Sequence, residues 1–163
     1  MICGPIAPEL ANFYRHLLSQ EGFPYTWPVE ANRYSGKGLP DSMYPDGRDC
    51  SGAVTWALWK AGAADWRGIK STRHLFAELR SVELEQALPG DLVLYRDERA
   101  GHINHVMTLT EDGRVFGADG PGPSCLTPDD ARRLDAFVRF KPFTYRKPAG
   151  FRVNPLRALL ALA

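Results

Sequence analysis

The sequence predicts an α+β fold, with helices in the first half of the chain and an antiparallel sheet in the second. Three observations predict it. Apolar residues recur at helical spacing over residues 7–20 and 50–61. Short strand-like runs follow from residue 90 onward, and a tight turn at residues 111–113 joins two of them. This order favours helices packed on an antiparallel meander over alternating β-α-β units.

The first helix is predicted over residues 7–20, "APELANFYRHLLSQ", because its apolar residues fall on one face. Pro8 suits the first turn and Gly22 follows the end. A second helix is predicted over residues 50–61 and a third over residues 71–79. The apolar tail "LRALLALA" is short, so we expect a docked terminal helix rather than a membrane anchor.

Four strands are predicted after the helices. The runs "GDLVLYR" (90–96), "HVMTLT" (105–110) and "RVFGAD" (114–119) are short and rich in apolar residues. A further strand is predicted over residues 136–145, broken by Pro142 because proline cannot donate to a sheet.

Length and charge limit the classes of protein. A chain of 163 residues is predicted to form a single domain spanning residues 1–163. The net charge of +1 gives no overall attraction to nucleic acid, so no nucleic-acid partner is expected. Residues 131–163 carry eight basic residues and one acid. They form either a solvated basic face or a patch that attracts an anionic polymer such as a cell wall.

The three cysteines are sparse and show neither a C-x-x-C pair nor Cys/His spacing suited to zinc. A disulfide scaffold is therefore not expected, and we predict folding in a reducing compartment. The start, "MICGPIAPELANF", lacks the basic and apolar regions of a secretory signal. No apolar run approaches the roughly 18 residues of a membrane span. We therefore expect synthesis in the cytoplasm without a signal peptide.

Cys50 stands in "RDCSGAVTWALWKAG", directly after Asp49, the predicted N-cap of the second helix. A lone cysteine is by default a small buried hydrophobe. In the first turn of a helix, however, the dipole and the backbone N–H groups favour the thiolate, and they can hold the oxyanion of a tetrahedral intermediate. Small residues at 51–53 leave room for a substrate. Cys50 is therefore a candidate nucleophile.

A thiolate nucleophile needs a base, and the sequence offers four histidines. His16 and His74 lie in predicted helices, where surface or packing roles are expected. His102 lies in a loop, whereas His105 begins an alternating run and shares its strand face with Met107. A cysteine and a histidine this far apart in sequence are weak evidence by themselves.

Three blocks in this order, "DCSGAVTWALWKAG", "LPGDLVLY" and "INHVMTLTEDGRVF", resemble the NlpC/P60 family of papain-like cysteine peptidases. That family typically shows a D-C-S-G helix start, a P-G-D-L strand, and an H-V strand followed by a turn. The resemblance covers roughly residues 22–119. It implies a papain-like fold in which the cysteine helix packs on an antiparallel sheet that carries the histidine.

The resemblance also implies roles for individual residues. Cys50 corresponds to the nucleophile and His105 to the general base. The segment "GFPYTW" resembles a family segment whose tyrosine lies near the oxyanion site, which maps onto Tyr25. Backbone N–H groups around Cys50 and Ser51 would complete that site. Asp91 of the P-G-D block is expected to be a structural turn residue that starts a strand.

Two features depart from the family pattern. The loop before the family's cysteine is usually short, but residues 28–48 form a long insertion that is expected to shape or cover the substrate groove. The family's third polar residue, which orients the base, aligns with Gly117, which has no side chain. Asp119 lies two residues on, on the same strand face, and is the candidate to hold His105; its alternative role is that of a turn residue. Otherwise a backbone carbonyl or a water would orient the base.

By resemblance, the expected protein is a peptidoglycan hydrolase. It would be a cysteine endopeptidase that cuts stem peptides, often at a D-glutamyl–diamino acid bond, without a metal or a cofactor. It would act on the wall after release or injection, as a phage endolysin, a phage tail component or an effector, with a phage origin favoured. Two other classes stay open: a related thiol amidase, deamidase or acyltransferase, and a non-catalytic wall-binding module. The oligomeric state is left open.

Overall fold

The computed structural model describes residues 3–28 and 47–160, with side chains given up to residue 157. Within these residues the chain forms helices followed by an antiparallel sheet, which confirms the predicted α+β class. Residues 29–46, most of the predicted insertion 28–48, lie outside the described residues.

The three helices predicted in the first half are present, with slightly shorter bounds. The first begins as a 3₁₀ turn, Pro8–Leu10, and continues as an α-helix. The terminal helix contacts that 3₁₀ turn, so the predicted docking of the tail is confirmed for its described part. A short helix before the last strands was not predicted. The helices are α1 (Ala11–Leu18), α2 (Cys50–Lys60), α3 (Thr72–Glu78), α4 (Pro128–Leu134) and α5 (Pro155–Leu160).

The described residues build a six-stranded antiparallel sheet with the order β1-β6-β2-β3-β4-β5. The strands are β1 (Ser81–Val82), β2 (Leu92–Arg96), β3 (Ile103–Leu109), β4 (Val115–Asp119), β5 (Phe137–Lys141) and β6 (Pro148–Arg152). The four predicted strands are β2 to β5, and they form the predicted meander of sequential neighbours. The strand β6, which was not predicted, crosses over to lie between β1 and β2.

Helix α2 packs on one face of this sheet. The helix contacts the sheet mainly at β3 and β4. Four side chains in the core between the helices and this face are fully buried: Leu92, Leu94, Val106 and Phe116. Full burial of such side chains is worth about 1.5–3 kcal/mol each, so this layer fixes the position of α2 and of Cys50 at its start.

The opposite face of the sheet has its own apolar layer. Its core side chains are Val93, Tyr95, Met107, Leu109 and Val115. Residues that follow β5, namely Phe143, Tyr145 and Phe151, pack against this layer. Because side chains alternate along a strand, His105 lies on this second face together with Met107 and Leu109, as the sequence predicted.

Strands β3 and β4 pair over a short stretch at one end of β3. They pair at Thr108 with Phe116 and at Leu109 with Val115, and the described pairing stops there. The first half of β3 is therefore unpaired on its β4 side. This is also the part of β3 that the start of α2 approaches.

Asp91, in the turn before β2, is fully buried and holds this turn to the end of the chain. Its carboxylate accepts hydrogen bonds from the amides of Leu88 and Asn154, both at 2.9 Å, and pairs with the guanidinium of Arg157. A Cβ at Gly90 would lie 2.6 Å from Leu10 Cδ1, and its φ of +94° favours glycine. These contacts agree with a structural role for the P-G-D block.

In the part of the chain that the structure describes, no helix is both long enough and apolar enough to cross a membrane.

Candidate active site

Cys50 is the first residue of α2, and the local sequence explains why the helix begins there. Asp49 has extended backbone angles, and its carboxylate accepts a hydrogen bond from the Gly52 amide at 2.7 Å. This is the N-cap geometry predicted from the sequence. The thiol is thereby placed at the positive end of the helix dipole.

The next residue offers a backbone donor. The Gly52 amide is taken by the Asp49 carboxylate, and the Ala53 amide donates to the Asp49 carbonyl at 3.1 Å. The Ser51 amide has no acceptor among the described residues, and the Ser51 side chain is buried. A backbone N–H of this kind beside a nucleophile can stabilise an oxyanion.

The Cys50 thiol reaches the unpaired part of β3. Its Sγ lies 3.9 Å from the carbonyl oxygen of Asn104, the residue immediately before His105. The structure thus places the predicted nucleophile against the strand residue that precedes the predicted base, although the two are 55 positions apart in sequence.

The His105 imidazole is engaged on the second face of the sheet. The residue is 3% exposed. Its Nε2 lies 2.7 Å from the hydroxyl of Tyr145, and its ring packs against Tyr95 at 5.5 Å between centroids. Within the described residues, His105 makes no hydrogen bond to Cys50 or to Asp119.

Burial, and next the positive charge of Arg146, together lower the pKa of His105 to about 3, although the charge of Asp119 opposes both. The imidazole is therefore neutral at neutral pH. Nε2 faces the Tyr145 hydroxyl, and the tautomer of the ring decides which of the two donates this hydrogen bond.

Asp119 lies on the same face as His105 but bonds elsewhere. Its carboxylate pairs with Arg139 at 3.1 Å and with Lys141 at 3.4 Å. Burial would raise the pKa of Asp119, but these two cations outweigh it and hold the pKa below its usual range. The expected hydrogen bond between His105 and Asp119 is therefore absent among the described residues; His105 bonds to Tyr145 instead, and Asp119 acts on the ring through its charge.

Gly117 occupies the position that the sequence resemblance aligns with the family's orienting side chain. A Cβ at Gly117 would lie 2.8 Å from the Sδ of Met107. The methionine therefore fills the space that such a side chain would need. The sequence indicated that position 117 lacks an orienting side chain. It did not indicate Tyr145, which belongs to a separate element, the 3₁₀ turn Phe143–Tyr145.

Tyr25, the predicted oxyanion residue, is also buried. Its amide donates to the Ala136 carbonyl at 2.9 Å, and its carbonyl accepts from Cys125 Sγ at 3.1 Å. Its ring lies so close to Gly120 that a Cβ there would be 2.3 Å from it. These contacts fix the backbone and ring of Tyr25, and its oxyanion role stays a prediction.

A cleft of about 640 Å³ opens beside Cys50. Its walls come from the residues before α2, the first turn of α3 and the start of β3. The lining residues are Trp27, Asp49, Cys50, Ser51, Ser71, Thr72, Arg73, His74, His102, Ile103 and Asn104.

Two other histidines, His74 and His102, thus line the cleft, whereas His105 does not. His74 is committed to the cap of α3, since its Nδ1 lies 3.0 Å from the Ser71 amide. His102 is exposed. In the residues that the structure describes, no group of three or more His, Cys, Asp or Glu side chains could hold a metal ion.

A cysteine that begins a helix packed on an antiparallel sheet, with a buried histidine on that sheet, defines the papain-like class of α+β domains. The chain belongs to the NlpC/P60 family, whose model matches residues 22–131.

The chain resembles several characterised proteins. It is 29% identical over 109 residues to the bifunctional muramidase/DL-endopeptidase CwlT of Bacillus subtilis, a match that covers 66% of this chain and 29% of CwlT. The P60 domain of an antigen from M. avium subspecies paratuberculosis has a similar fold, with a TM-score of 0.61 and 21% identity. The match covers 91% of this chain and 95% of that domain.

RipD of Mycobacterium tuberculosis has a TM-score of 0.58 and 19% identity, and the match covers 91% of this chain and 98% of RipD. RipD is described as a non-catalytic NlpC/P60 domain protein adapted to binding peptidoglycan. At these identities the solved structures show the fold alone.

Proposed function

We propose that the protein is a cysteine peptidase that hydrolyses an amide bond in the stem peptides of peptidoglycan. The observation that carries the proposal is the position of Cys50: it begins a capped helix, opens on a cleft, and contacts β3 one residue from His105. Family membership and the DL-endopeptidase name of CwlT support peptidoglycan as the substrate and the D-glutamyl–diamino acid bond as the target.

The proposed reaction is acyl transfer. The Cys50 thiol gives its proton to His105 Nδ1, and the sulfur attacks the amide carbon. The Ser51 amide, and by resemblance Tyr25, stabilise the oxyanion. His105 returns the proton to the leaving amine, and water then hydrolyses the thioester to release the acid and restore the thiol.

Mass spectrometry of muropeptides released from purified sacculi tests the proposal. The wild-type protein is expected to release fragments with a new D-glutamyl carboxyl end and a new diamino-acid amino end. Cys50→Ala is expected to release none while remaining folded, because alanine is well tolerated in a first helical turn. Cys3→Ala, which changes an exposed cysteine away from the cleft, serves as the matched control and retains activity. Full activity of folded Cys50→Ala contradicts the mechanism.

Replacing the histidines one at a time identifies the base. His105→Ala is expected to be as damaging as Cys50→Ala, and His102→Ala milder. The opposite ranking would give the role of base to a histidine of the cleft wall.

A second function, peptidoglycan binding without catalysis, is favoured by one observation. Glycine stands at the family's orienting position, and RipD shows that this fold occurs without catalysis. Sedimentation with sacculi separates the two functions, since a binding module is retained on the sacculi and releases no fragment. Fragments cut at another bond would instead indicate a related thiol amidase. An endolysin role remains a prediction from the sequence.

A further inference from the structure

The hydroxyl of Tyr145 is the direct hydrogen-bond partner of the buried His105. The Nε2 to oxygen distance is 2.7 Å, and the two rings meet edge to face with an interplanar angle of 77°. The hydrogen bond joins residues 40 positions apart, from β3 and from the 3₁₀ turn after β5.

The turn that carries Tyr145 is held in place. The Tyr145 amide donates to the Pro142 carbonyl at 3.0 Å, and the ring packs on Tyr95 at 5.5 Å between centroids. Tyr95 also packs on His105, so the three rings form one cluster on the second face of the sheet. The phenol therefore has a fixed position relative to the imidazole.

Neither of the other two positions expected to orient the ring supplies a hydrogen bond. Gly117 has no side chain, and Met107 fills the adjacent space. Asp119 is held by Arg139 and Lys141. Tyr145, in the 3₁₀ turn after β5, thus makes the hydrogen bond to His105 that neither Gly117 nor Asp119 makes.

A phenol is chemically suited to this contact. Burial, and next the nearby Tyr95, raise the pKa of Tyr145, so it remains a neutral phenol over the working range of pH. A phenol oxygen can accept a hydrogen bond from a ring N–H. If Nε2 carries the proton and donates to Tyr145, the lone pair of the neutral ring is on Nδ1.

We propose that Tyr145 is the positioning residue of the site: its hydroxyl holds His105 in the Nε2–H tautomer and thereby presents Nδ1 as the base for Cys50. The proposal rests on the proposed function for its kinetic consequence. Its structural part, the tautomer and orientation of the ring, can be measured without any substrate.

The test compares Tyr145→Phe with Tyr95→Phe. Both substitutions remove one hydroxyl and keep a ring in the same cluster. The Tyr95 hydroxyl is buried and has no hydrogen-bond partner among the described residues. It is therefore a matched control for loss of a phenol without loss of the bond to His105.

Two measurements are made on each protein. Imidazole ¹⁵N NMR reports the tautomer of His105, and hydrolysis of sacculi fragments reports kcat and KM. For the wild type and Tyr95→Phe we expect the Nε2–H tautomer and equal kinetics. For Tyr145→Phe we expect a mixture of tautomers and a kcat about 10- to 100-fold lower, with KM unchanged, because an orienting contact acts on the base and not on substrate binding.

The outcomes separate the two proposals. An unchanged Nε2–H signal in Tyr145→Phe overturns the positioning role, whatever the activity. An Nδ1–H tautomer in the wild type overturns it as well. If no protein hydrolyses any wall fragment but Tyr145→Phe loses the single tautomer, the positioning of His105 stands and the proposed peptidase function fails.

Discussion

The burial of His105 predicts a loss of stability in acid, whose size follows from its pKa. The folded protein holds the pKa near 3, whereas an unperturbed histidine titrates at 6.5. Below pH 6.5 the unfolded chain binds a proton that the folded chain does not, so the free energy of unfolding falls as pH falls towards 3. One proton corresponds to about 1.4 kcal/mol per pH unit, which amounts to about 2–3 kcal/mol at pH 4.5.

The substitution His105→Gln removes this titration and keeps a polar group facing the Tyr145 hydroxyl. We expect the variant to start from a lower stability at pH 7.5 but to lose about 2–3 kcal/mol less than the wild type between pH 7.5 and pH 4.5. His102→Gln, which replaces an exposed histidine, should retain the wild-type slope. The assay is urea unfolding at four values of pH over this range.

The difference between the wild type and His105→Gln isolates the imidazole, because both proteins carry the same carboxylates. The pKa of Asp119 is held below its usual range, so its own stabilising contribution is present throughout and is lost only at lower pH. If His105→Gln and the wild type lose the same stability between pH 7.5 and pH 4.5, the imidazole is not buried in neutral form, and the account of His105 as a neutral base is wrong.

Two further predictions concern the close packing at two glycines and the charge of Asp119. Gly120→Ala should lower the free energy of unfolding by about 2–3 kcal/mol, because the new Cβ meets the rigid ring of Tyr25. Gly117→Ala should lower it by about 1 kcal/mol, because its Cβ meets the flexible thioether of Met107. Equal losses in urea unfolding would contradict this. Asp119→Asn should lower kcat by about tenfold, because it removes a charge that favours protonated His105. The tautomer of the His105 ring, measured by ¹⁵N NMR, should not change. A change of tautomer would show that the carboxylate positions the ring.

The parts of the site that depend on local chemistry were predictable from the sequence. Asp49 before a run of small and apolar residues indicates an N-cap, and the structure confirms α2 with Cys50 at its start. The alternation after residue 105 fixes which face of β3 carries His105. Both patterns involve neighbours within a few residues, where sequence spacing translates directly into geometry.

Strand β6 and helix α4 were not predicted from the sequence, for different reasons. The strand β6 contains Pro148 and Gly150, lacks a regular alternation, and is a strand because β1 and β2 pair with it. Helix α4 does carry a local signal, since Thr127 and Asp130 form a reciprocal capping box at its start.

The role of Tyr145 depends on packing across the whole sheet. Nothing near residue 145 in the sequence points to a histidine 40 positions earlier. The only indication in the sequence is indirect: a glycine at position 117, where the resemblance requires a polar side chain, implies that another element supplies the contact.

A neutral phenol and a carboxylate, each bonded to the same histidine, have different effects on the pKa of that histidine. A carboxylate bonded to His105 would stabilise the imidazolium and raise its pKa. In this protein the bonded group is uncharged, the nearby Asp119 is neutralised by two cations, and Arg146 adds a positive charge. Burial is the largest cause of the low pKa of His105 and Arg146 adds to it, while the charge of Asp119, which is paired with two cations, opposes both. The low pKa that reduces stability in acid also keeps His105, the proposed base, unprotonated down to low pH, so we expect that histidine protonation does not limit turnover above about pH 5.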